Sequence, residues 1–208
     1  MMMQALRWVR TTLASYPKAF LVLGVLAVLA QALPGWRDAL IYERAALVSG
    51  ELWRLWTGHL CHFGWPHCLS DTGLFLVLGY IVGRCRPLLL WLFLCALPLG
   101  ISAGVYIIEP SMHRYAGLSG VDLGLLVFIA CQGWRKQWSD WFWPAVLLIY
   151  VGEVVLEVVR SSGTGGGMIR FDEPNVSVAT SAHIIAAVFA LLVFALWRKH
   201  LPVGQAKQ

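Results

Sequence analysis

The stretch RYAGLSGVDLGLLVF, from Arg114 to Phe128, places one serine among glycines at the start of an apolar run. Small residues four positions apart, such as Gly120 and Gly124, let two membrane helices pack closely. The same glycines would also leave the hydroxyl of Ser119 accessible for attack on a peptide bond. The two interpretations imply different functions, and the rest of the chain bears on both.

The composition indicates a membrane protein. Hydrophobic residues make up 59% of the 208 residues and charged residues 13%, and the mean hydropathy is +0.69. A soluble domain usually carries about 25% charged residues. Arg7, Arg10 and Lys18 precede the first apolar run, as they would in a signal peptide, but no small-residue cleavage site leads into a soluble sequence. We therefore interpret that run as a retained span.

The lengths of the apolar runs predict an all-α, polytopic bundle of six transmembrane helices, since one crossing needs about 20 mostly apolar residues. The predicted spans are 18–33, 66–82, 87–108, 118–133, 141–159 and 176–197. No repeat or second domain is evident. The whole chain, 1–208, is predicted to be a single membrane domain with short cytoplasmic tails at about 1–17 and 198–208.

The distribution of basic residues predicts the orientation. One side of the bundle would hold ten of the sixteen Lys and Arg residues, and we assign that side to the cytoplasm, together with both chain termini. The net charge of +5 then reflects topology and requires no nucleic-acid partner. This asymmetry, without an organellar presequence, favours a bacterial inner membrane. The ten residues are Arg7, Arg10, Lys18, Arg84, Arg86, Arg135, Lys136, Arg198, Lys199 and Lys207.

Polar side chains lie at matching depths in three of the predicted spans. In this orientation the second, fourth and sixth spans run inward from the outer face, which places His67, Asp71, Ser119 and His183 in one layer below that face. Ionisable groups inside a membrane cost about 2.5 to 3.5 kcal/mol each and tend to mark function. A serine and a histidine on closely packed helices could therefore come within hydrogen-bonding distance.

The histidines and cysteines also allow other chemistries, which we consider less well supported. The segment HLCHFGWPHCLSD, at 59–71, matches no familiar zinc spacing, and its first two histidines precede the second span, where they are poorly placed as haem ligands. We predict no metal and no cofactor. Cys61 and Cys68 are close enough in sequence to pair near the outer face, although a role as small buried side chains fits better.

Three segments together resemble the rhomboid intramembrane serine proteases. YAGLSGVDLG, at 115–124, resembles the G-x-S-G motif that opens the fourth rhomboid helix. HFGWPHCLSD, at 62–71, resembles the H-x-x-x-x-H-x-x-x-N motif of the second helix, and SAHIIAAVFA, at 181–190, resembles the A-H-x-x-G-x-x-x-G motif of the sixth. LWRL, at 52–55, looks like the Trp-Arg element of the first loop. The short six-span form is most similar to the rhombosortase branch.

This resemblance implies a Ser-His dyad with Ser119 as nucleophile and His183 as general base. Stabilisation of the tetrahedral oxyanion requires hydrogen-bond donors. The backbone N–H of Ser119, near a helix N-terminus, and the His67 side chain can supply them. Gly117 and Gly120 flank the nucleophile, and His62 is a weaker candidate for structural support.

The resemblance also implies what the protein does. A rhomboid protease would cleave membrane-anchored proteins near the outer, periplasmic face, and relatives in the rhombosortase branch are associated with substrates that carry GlyGly-CTERM sorting tails. A substrate helix must unwind locally before it is cut, which small, helix-destabilising residues would ease. The alternative is a rhomboid-like pseudoprotease that binds or escorts membrane proteins without cutting them.

Asp71 stands where the family has an asparagine. An ionised carboxylate accepts hydrogen bonds but donates none, and it would repel an oxyanion. Three interpretations remain open at this point: burial keeps Asp71 protonated, Asp71 orients His67, or the site is weakened.

Other positions depart from the family pattern as well. Leu123 replaces an aromatic residue that stacks on the catalytic histidine in many rhomboids. Asp122 lies about one turn after Ser119, where it would either polarise His183 or pair elsewhere in the bundle. Ala186 and Ala190 replace two family glycines, and their methyl groups could hold the sixth span slightly further away.

Three further features have mainly structural interpretations. Arg54 is expected to form an ion pair or an interfacial anchor in the first loop. Glu153 and Glu157, one turn apart, are expected to pair with an arginine such as Arg160. The segment SSGTGGGM, at 161–168, is either a flexible lid over the site or a linker.

Overall fold

The computed structural model describes residues 17–33, 35–82, 87–136, 141–161 and 179–199. Its longer helices are Lys18–Ala32 (α1), Trp65–Val82 (α5), Leu97–Ile108 (α7), Ser119–Lys136 (α8), Phe142–Ser161 (α9) and Thr180–Trp197 (α10). Its short elements are Trp36–Leu40 (α2), Tyr42–Glu43 (β1), Arg44–Val48 (α3), Arg54–Thr57 (α4), the 3₁₀ turn Gly58–Leu60, Pro87–Trp91 (α6), the π-helical segment Leu92–Ala96 and Arg114–Tyr115 (β2). Residues 1–16 and 200–208 of the predicted tails and the segment 162–168 lie outside the described residues.

The long helices agree with the predicted spans to within a few residues. The third span is a continuous helical run through α6, the π-helical segment and α7, and the sixth helix begins at Thr180. Within the described residues, Leu88–Ile108 and Thr180–Trp197 are long and apolar enough to cross a membrane, and Lys18–Ala32 and Phe142–Gly152 are shorter apolar helices. The chain is therefore mostly helical, and six crossings stay a prediction.

Helix α8 lies in the interior of the bundle. It packs against α5, α7, α9 and α10, and its residues 120–130 are all buried. The ring of Phe128 packs 5.1 Å from Phe93 and 6.3 Å from Phe194, between centroids. Apolar side chains of α10 such as Ile184 and Leu192 are instead more than half exposed. This burial pattern directs the polar first turn of α8 into the protein.

The crossing of α8 and α10 is tight because α8 has a glycine there. A methyl group added to Gly124 would lie 2.6 Å from Leu97 Cδ2, 3.5 Å from the Ala186 carbonyl and 3.8 Å from Ala186 Cβ. Ala186 and Ala190 are completely buried. The alanines of the sixth helix are thus accommodated in close contact, and the crossing has little room for larger side chains.

The segment 35–64 between α1 and α5 folds as short helices rather than as an open loop. Arg54 is buried, and its guanidinium donates hydrogen bonds to Glu51 (2.7 Å) and to the carbonyls of Asp38 (2.7 Å) and Ile41 (2.8 Å). This geometry confirms the predicted structural role of Arg54. Strand β1 also pairs antiparallel with β2, an element that the all-α prediction did not include.

Pro98 leaves a backbone carbonyl of the third helix available to the segment 35–64. Proline has no backbone N–H, so Pro98 cannot donate to the Leu94 carbonyl four residues earlier. That carbonyl accepts a hydrogen bond from the Trp56 indole at 2.8 Å. His59 Nε2 lies 2.9 Å from the Pro98 carbonyl and 3.0 Å from the Ser102 hydroxyl. The segment 35–64 is therefore fixed against the third helix just before the chain enters α5.

Candidate active site

Ser119 is the first residue of α8, and Gly117 shapes the turn that leads to it. The φ angle of Gly117 is +119°, a backbone conformation that favours glycine. A methyl group at this position would lie 2.9 Å from His67 Nε2 and 3.2 Å from Asp71 Oδ2. The glycine therefore allows the chain before Ser119 to pass directly against two polar side chains of α5.

One carboxylate oxygen of Asp71 is the centre of the polar contacts at this turn. Asp71 Oδ2 accepts a hydrogen bond from the backbone N–H of Ser119 at 3.0 Å and lies 3.1 Å from His67 Nε2. Asp71 and His67 are four residues apart on α5, so they share a helix face. The Ser119 N–H, expected to be unpaired at the helix N-terminus, is thus already bound to Asp71.

The hydrogen bonds of His67 fix its tautomer. Its Nδ1 accepts a hydrogen bond from the Phe63 backbone N–H at 3.3 Å. A nitrogen that accepts carries no proton, so the proton of the neutral ring is on Nε2 and is donated to Asp71. Asp71 therefore orients His67, which supports the second of the three interpretations.

His62 lies next to this pair without completing a hydrogen bond to it. Its Nε2 is 3.6 Å from Asp71 Oδ2, which is too long for a hydrogen bond, and its ring is 4.9 Å from that of His67 at a steep angle. The side chain is fully buried, and this burial lowers the pKa of His62 below its usual value. A neutral, buried His62 fits the predicted supporting position.

His183 lies in the first turn of α10 and is buried. Neither of its ring nitrogens has a hydrogen-bond partner among the described residues. The expected hydrogen bond between Ser119 and His183 is therefore not formed in this structure. Their neighbours are nonetheless in contact, because a methyl group at Gly120 would lie 3.8 Å from the Ala182 carbonyl.

Tyr150, on α9, contacts both candidate catalytic residues and was not anticipated from the sequence. Its hydroxyl donates a hydrogen bond to the Ser119 carbonyl at 2.9 Å. Its ring centroid is 6.5 Å from that of His183, at an interplanar angle of 69°. Tyr150 thus places an aromatic ring beside His183 from another helix, while Leu123 is buried in the hydrophobic core. No motif in the fifth span marked this residue.

Asp122 does not have the role that its spacing suggested. It is completely buried, and neither carboxylate oxygen has a hydrogen-bond partner among the described residues. The expected interaction with His183 is therefore absent, and so is the alternative of a pairing elsewhere within the described bundle. The side chains of Glu153 and Glu157 lie outside the described part of the structure.

His59, Cys61 and Cys68 have structural surroundings. His59 is buried against Pro98 and Ser102, and burial lowers its pKa to about 4. Cys61 and Cys68 are both free and buried, so the disulfide considered from the sequence is not present. Burial raises the pKa of Cys61 to about 12, which keeps it a thiol at neutral pH. Within the described ranges, no group of three or more His, Cys, Asp or Glu side chains could hold a metal ion.

The site therefore brings together five of the predicted residues, namely Ser119, Gly117, His67, Asp71 and His62. It has N–H donors directed at one point and a serine at the N-terminus of a buried helix. Such donors stabilise negative charge on oxygen when they are fixed in a water-poor environment. A histidine without a hydrogen-bond partner lies on the adjacent helix. These are the groups needed for acyl transfer to a hydroxyl.

Two comparisons with known proteins bear on the family. The rhomboid domain family matches residues 49–200, well over half of the chain. A Bacillus subtilis (strain 168) protein named "Putative rhomboid protease YdcA" is 31% identical over 129 residues, which are 56% of this chain and 62% of that protein. The chain thus spans less than two thirds of the length of this relative.

Proposed function

Because the chain belongs to the rhomboid family, we propose that it is an intramembrane serine endopeptidase that cleaves membrane-anchored proteins near the outer, periplasmic face. Rhomboid proteases act on membrane-protein substrates within the bilayer, and the relative from Bacillus subtilis is itself named as a rhomboid protease. The proposal includes six crossings, both termini in the cytoplasm and a bacterial inner membrane.

In the proposed first step, His183 accepts the proton of the Ser119 hydroxyl while the serine oxygen forms a bond to the scissile carbonyl carbon. Neutral imidazole is suited to this role near pH 7. The carbonyl π electrons move to the oxygen and produce a tetrahedral oxyanion. The absence of a preformed hydrogen bond does not exclude the step, since catalytic hydrogen bonds often tighten only when substrate binds.

The N–H groups of Ser119 and His67 are the proposed donors to the oxyanion. Both are oriented toward one point, by the start of α8 and by the Phe63 hydrogen bond to His67, respectively. Loss of one such donor costs on the order of 10² to 10³ in turnover in a well-studied serine protease.

In the second half of the reaction the intermediate collapses and the C–N bond breaks. His183 passes its proton to the departing amine, which leaves Ser119 acylated. Water then attacks the ester while His183 accepts a proton from that water. His183 passes this proton to the Ser119 oxygen as the new carboxyl product leaves. These reaction steps use only groups of this chain, the substrate and water.

The proposed substrates are membrane-anchored proteins whose helix unwinds at the cut site, including proteins with GlyGly-CTERM tails. Glycine pairs destabilise a helix by about 1 kcal/mol per residue relative to alanine, which favours local exposure of a peptide bond. This substrate class follows from the resemblance to the rhombosortase branch.

The observation that carries the proposal is the convergence of the Ser119 and His67 N–H groups on one oxygen, at the start of a buried helix. Labelling with a fluorophosphonate probe in native membranes tests the proposal. We expect labelling of the wild type and no detectable labelling of Ser119→Ala or His183→Ala.

Matched controls separate catalysis from folding and from non-specific labelling. Ser181→Ala removes a serine from the first turn of α10, and His113→Ala removes an exposed histidine. Both variants should label like the wild type. Labelling that persists in Ser119→Ala would remove the proposed nucleophile, and persistence in His183→Ala would remove the proposed base.

A pseudoprotease that binds or escorts membrane proteins is the second candidate. It is favoured by one specific observation, namely that Asp71 occupies the Ser119 N–H that an oxyanion would need. A folded wild-type protein that resists the probe, under conditions where an active rhomboid is labelled, would favour this candidate. Copurification of intact membrane proteins would then be the informative measurement.

A further inference from the structure

We propose that the turn between Gly117 and Ser119, together with His67, forms a binding site for a single anionic oxygen, and that the Asp71 carboxylate occupies it in the resting protein. This inference rests on the proposed function, because the same N–H groups are the proposed oxyanion donors. It adds that Asp71 must leave this position before a substrate carbonyl can enter.

The first argument is the number of donors at one atom. Asp71 Oδ2 receives the Ser119 N–H at 3.0 Å and the Nε2–H of His67, with a separation of 3.1 Å. Had Asp71 served only to orient His67, its oxygen would not need to reach the backbone of α8 as well. The contact with Ser119 joins residues 48 positions apart and therefore depends on the tertiary fold.

The second argument is an unused donor beside the same oxygen. His62 is fully buried, and neither of its ring nitrogens has a hydrogen-bond partner among the described residues. Its Nε2 lies 3.6 Å from Asp71 Oδ2. An oxygen displaced slightly toward His62 would gain a third donor, provided that the ring proton is on Nε2. The site is thus formed by protein groups and extends beyond what Asp71 satisfies.

The third argument is space. Gly117 passes so close that an added methyl group would lie 3.2 Å from Asp71 Oδ2 and 2.9 Å from His67 Nε2. Asp71 is 4% exposed. A second oxygen cannot share this volume with the carboxylate, so the Asp71 side chain and a substrate carbonyl oxygen exclude each other.

Charged and titratable groups near Asp71 come from several elements. His67 and Cys68 lie on its own helix and His62 on the preceding segment. Tyr115 on β2, Asp122 on α8 and His183 on α10 also interact with its charge. A carboxylate held beside the proposed oxyanion position would oppose the negative charge that develops there.

The test removes the Asp71 carboxylate from the site and adds a small carboxylate to the solution. Asp71→Ala removes the resident anion, and sodium formate is the probe, compared with sodium chloride at equal ionic strength and neutral pH. Asp38→Ala is the matched control, because Asp38 lies in the segment 35–64 and its side chain is 71% exposed. Fluorophosphonate labelling rate and thermal unfolding in detergent are both measured.

We expect Asp71→Ala to label about tenfold faster than the wild type, since one oxyanion donor is worth on the order of 10² in turnover. Formate should lower the labelling rate of Asp71→Ala in a saturable manner and leave the labelling rates of the wild type and Asp38→Ala unchanged. Asp71→Asn, which adds an amide donor, should also label faster.

Changes in labelling rate opposite to those expected would overturn the inference. If Asp71→Ala labels more slowly and formate restores its rate, the carboxylate supports catalysis. Absence of any formate effect on Asp71→Ala also excludes the site.

Thermal unfolding separates this inference from the proposed function. In the double variant Asp71→Ala, Ser119→Ala the backbone N–H remains while the nucleophile is gone. Formate should still raise its unfolding temperature by a few degrees relative to chloride. If formate raises the unfolding temperature but the protein with Ser119 intact never labels, the anion site is retained and the protease is rejected. If that protein labels but formate does not raise the unfolding temperature, the protease is retained and the anion site is rejected.

Discussion

The two sides of the candidate site differ in how completely their polar groups are paired. On the side that we call the anion cluster, Ser119 N–H, His67 and Asp71 form hydrogen bonds with one another and with Phe63. On the base side, His183 and Asp122 are buried and have no hydrogen-bond partners among the described residues. Buried polar groups are ordinarily satisfied, so we expect His183 and Asp122, like the unpaired His62 beside the anion cluster, to acquire partners during function.

The difference arises from how each side is assembled. The anion cluster joins residues of one helix, spaced four apart, to a turn that Gly117 keeps narrow. The base side depends on the distance between α8 and α10, which is set by packing along the whole crossing at Gly124 and Ala186. Under the proposed function, a site built in this way would hold the oxyanion donors in place and leave Ser119 and His183 to be aligned by the substrate.

The largest effect in this comparison is expected for Gly117→Ala, which breaks the anion cluster. The added methyl group would press on His67 and Asp71, and alanine is strained at a φ of +119°. We expect a fall in labelling rate on the order of 10² or more, equivalent to losing an oxyanion donor.

Gly73→Ala is the control for this prediction, because a methyl group there meets nothing within 4 Å and the residue lies on α5 beside Asp71. Its labelling rate should match the wild type. Thermal unfolding of both variants shows whether the fold persists. A Gly117→Ala protein that labels normally would mean that the narrow turn is not needed.

An intermediate effect is expected when the pH is lowered. Acid should weaken the packing of the segment 35–64, which carries His59 and Phe63, against the third helix. Burial lowers the pKa of His59 from 6.5 to about 4. Between these values the unfolded chain binds more protons than the folded one, so stability falls as the pH is lowered from 6.5 toward 4. The loss amounts to about 3 kcal/mol at 1.36 kcal/mol per pH unit.

Unfolding in detergent at pH 7 and pH 4.5 measures this loss. His59→Asn should lose less stability than the wild type over that interval, since it removes the titrating group. The exposed His113→Asn should behave like the wild type. Identical acid sensitivity in His59→Asn and the wild type would show that His59 is not the group responsible.

The smallest effect is expected on the base side, from Tyr150→Phe. This change removes one hydrogen bond to the Ser119 carbonyl and keeps the ring beside His183. Since a neutral hydrogen bond contributes about 1 kcal/mol, the labelling rate should fall by only about fivefold.

Tyr150→Leu tests whether the Tyr150 ring positions His183 or only fills space beside it. Without the ring, the surroundings of His183 become more open, so the pH profile of labelling should shift, whereas the profile of Tyr150→Phe should match the wild type. Tyr80→Phe, a change at a more exposed tyrosine, is the control. Equal profiles in all three variants would assign Tyr150 a purely structural role.

The sequence predicted the long helices well because apolar length and charge determine them directly. It also placed Ser119, His67 and Asp71 at one depth, since a helix converts residue number into distance. It did not predict the bond from Ser119 N–H to Asp71, which depends on the turn at Gly117. Tyr150 was missed because only the packing of α9 against α8 brings it to Ser119, and the two-residue strands are too short to leave a pattern.

Pro98 has a consequence for the biogenesis of the protein. At 1.5 Å per residue, the Leu94 carbonyl lies about 20 Å along the helix axis from Ile108, so the Trp56 indole reaches it deep within the bundle. A carbonyl without a donor costs several kcal/mol in lipid. The Trp56 hydrogen bond therefore couples the stability of the third helix to the folding of the segment 35–64, which is synthesised before it.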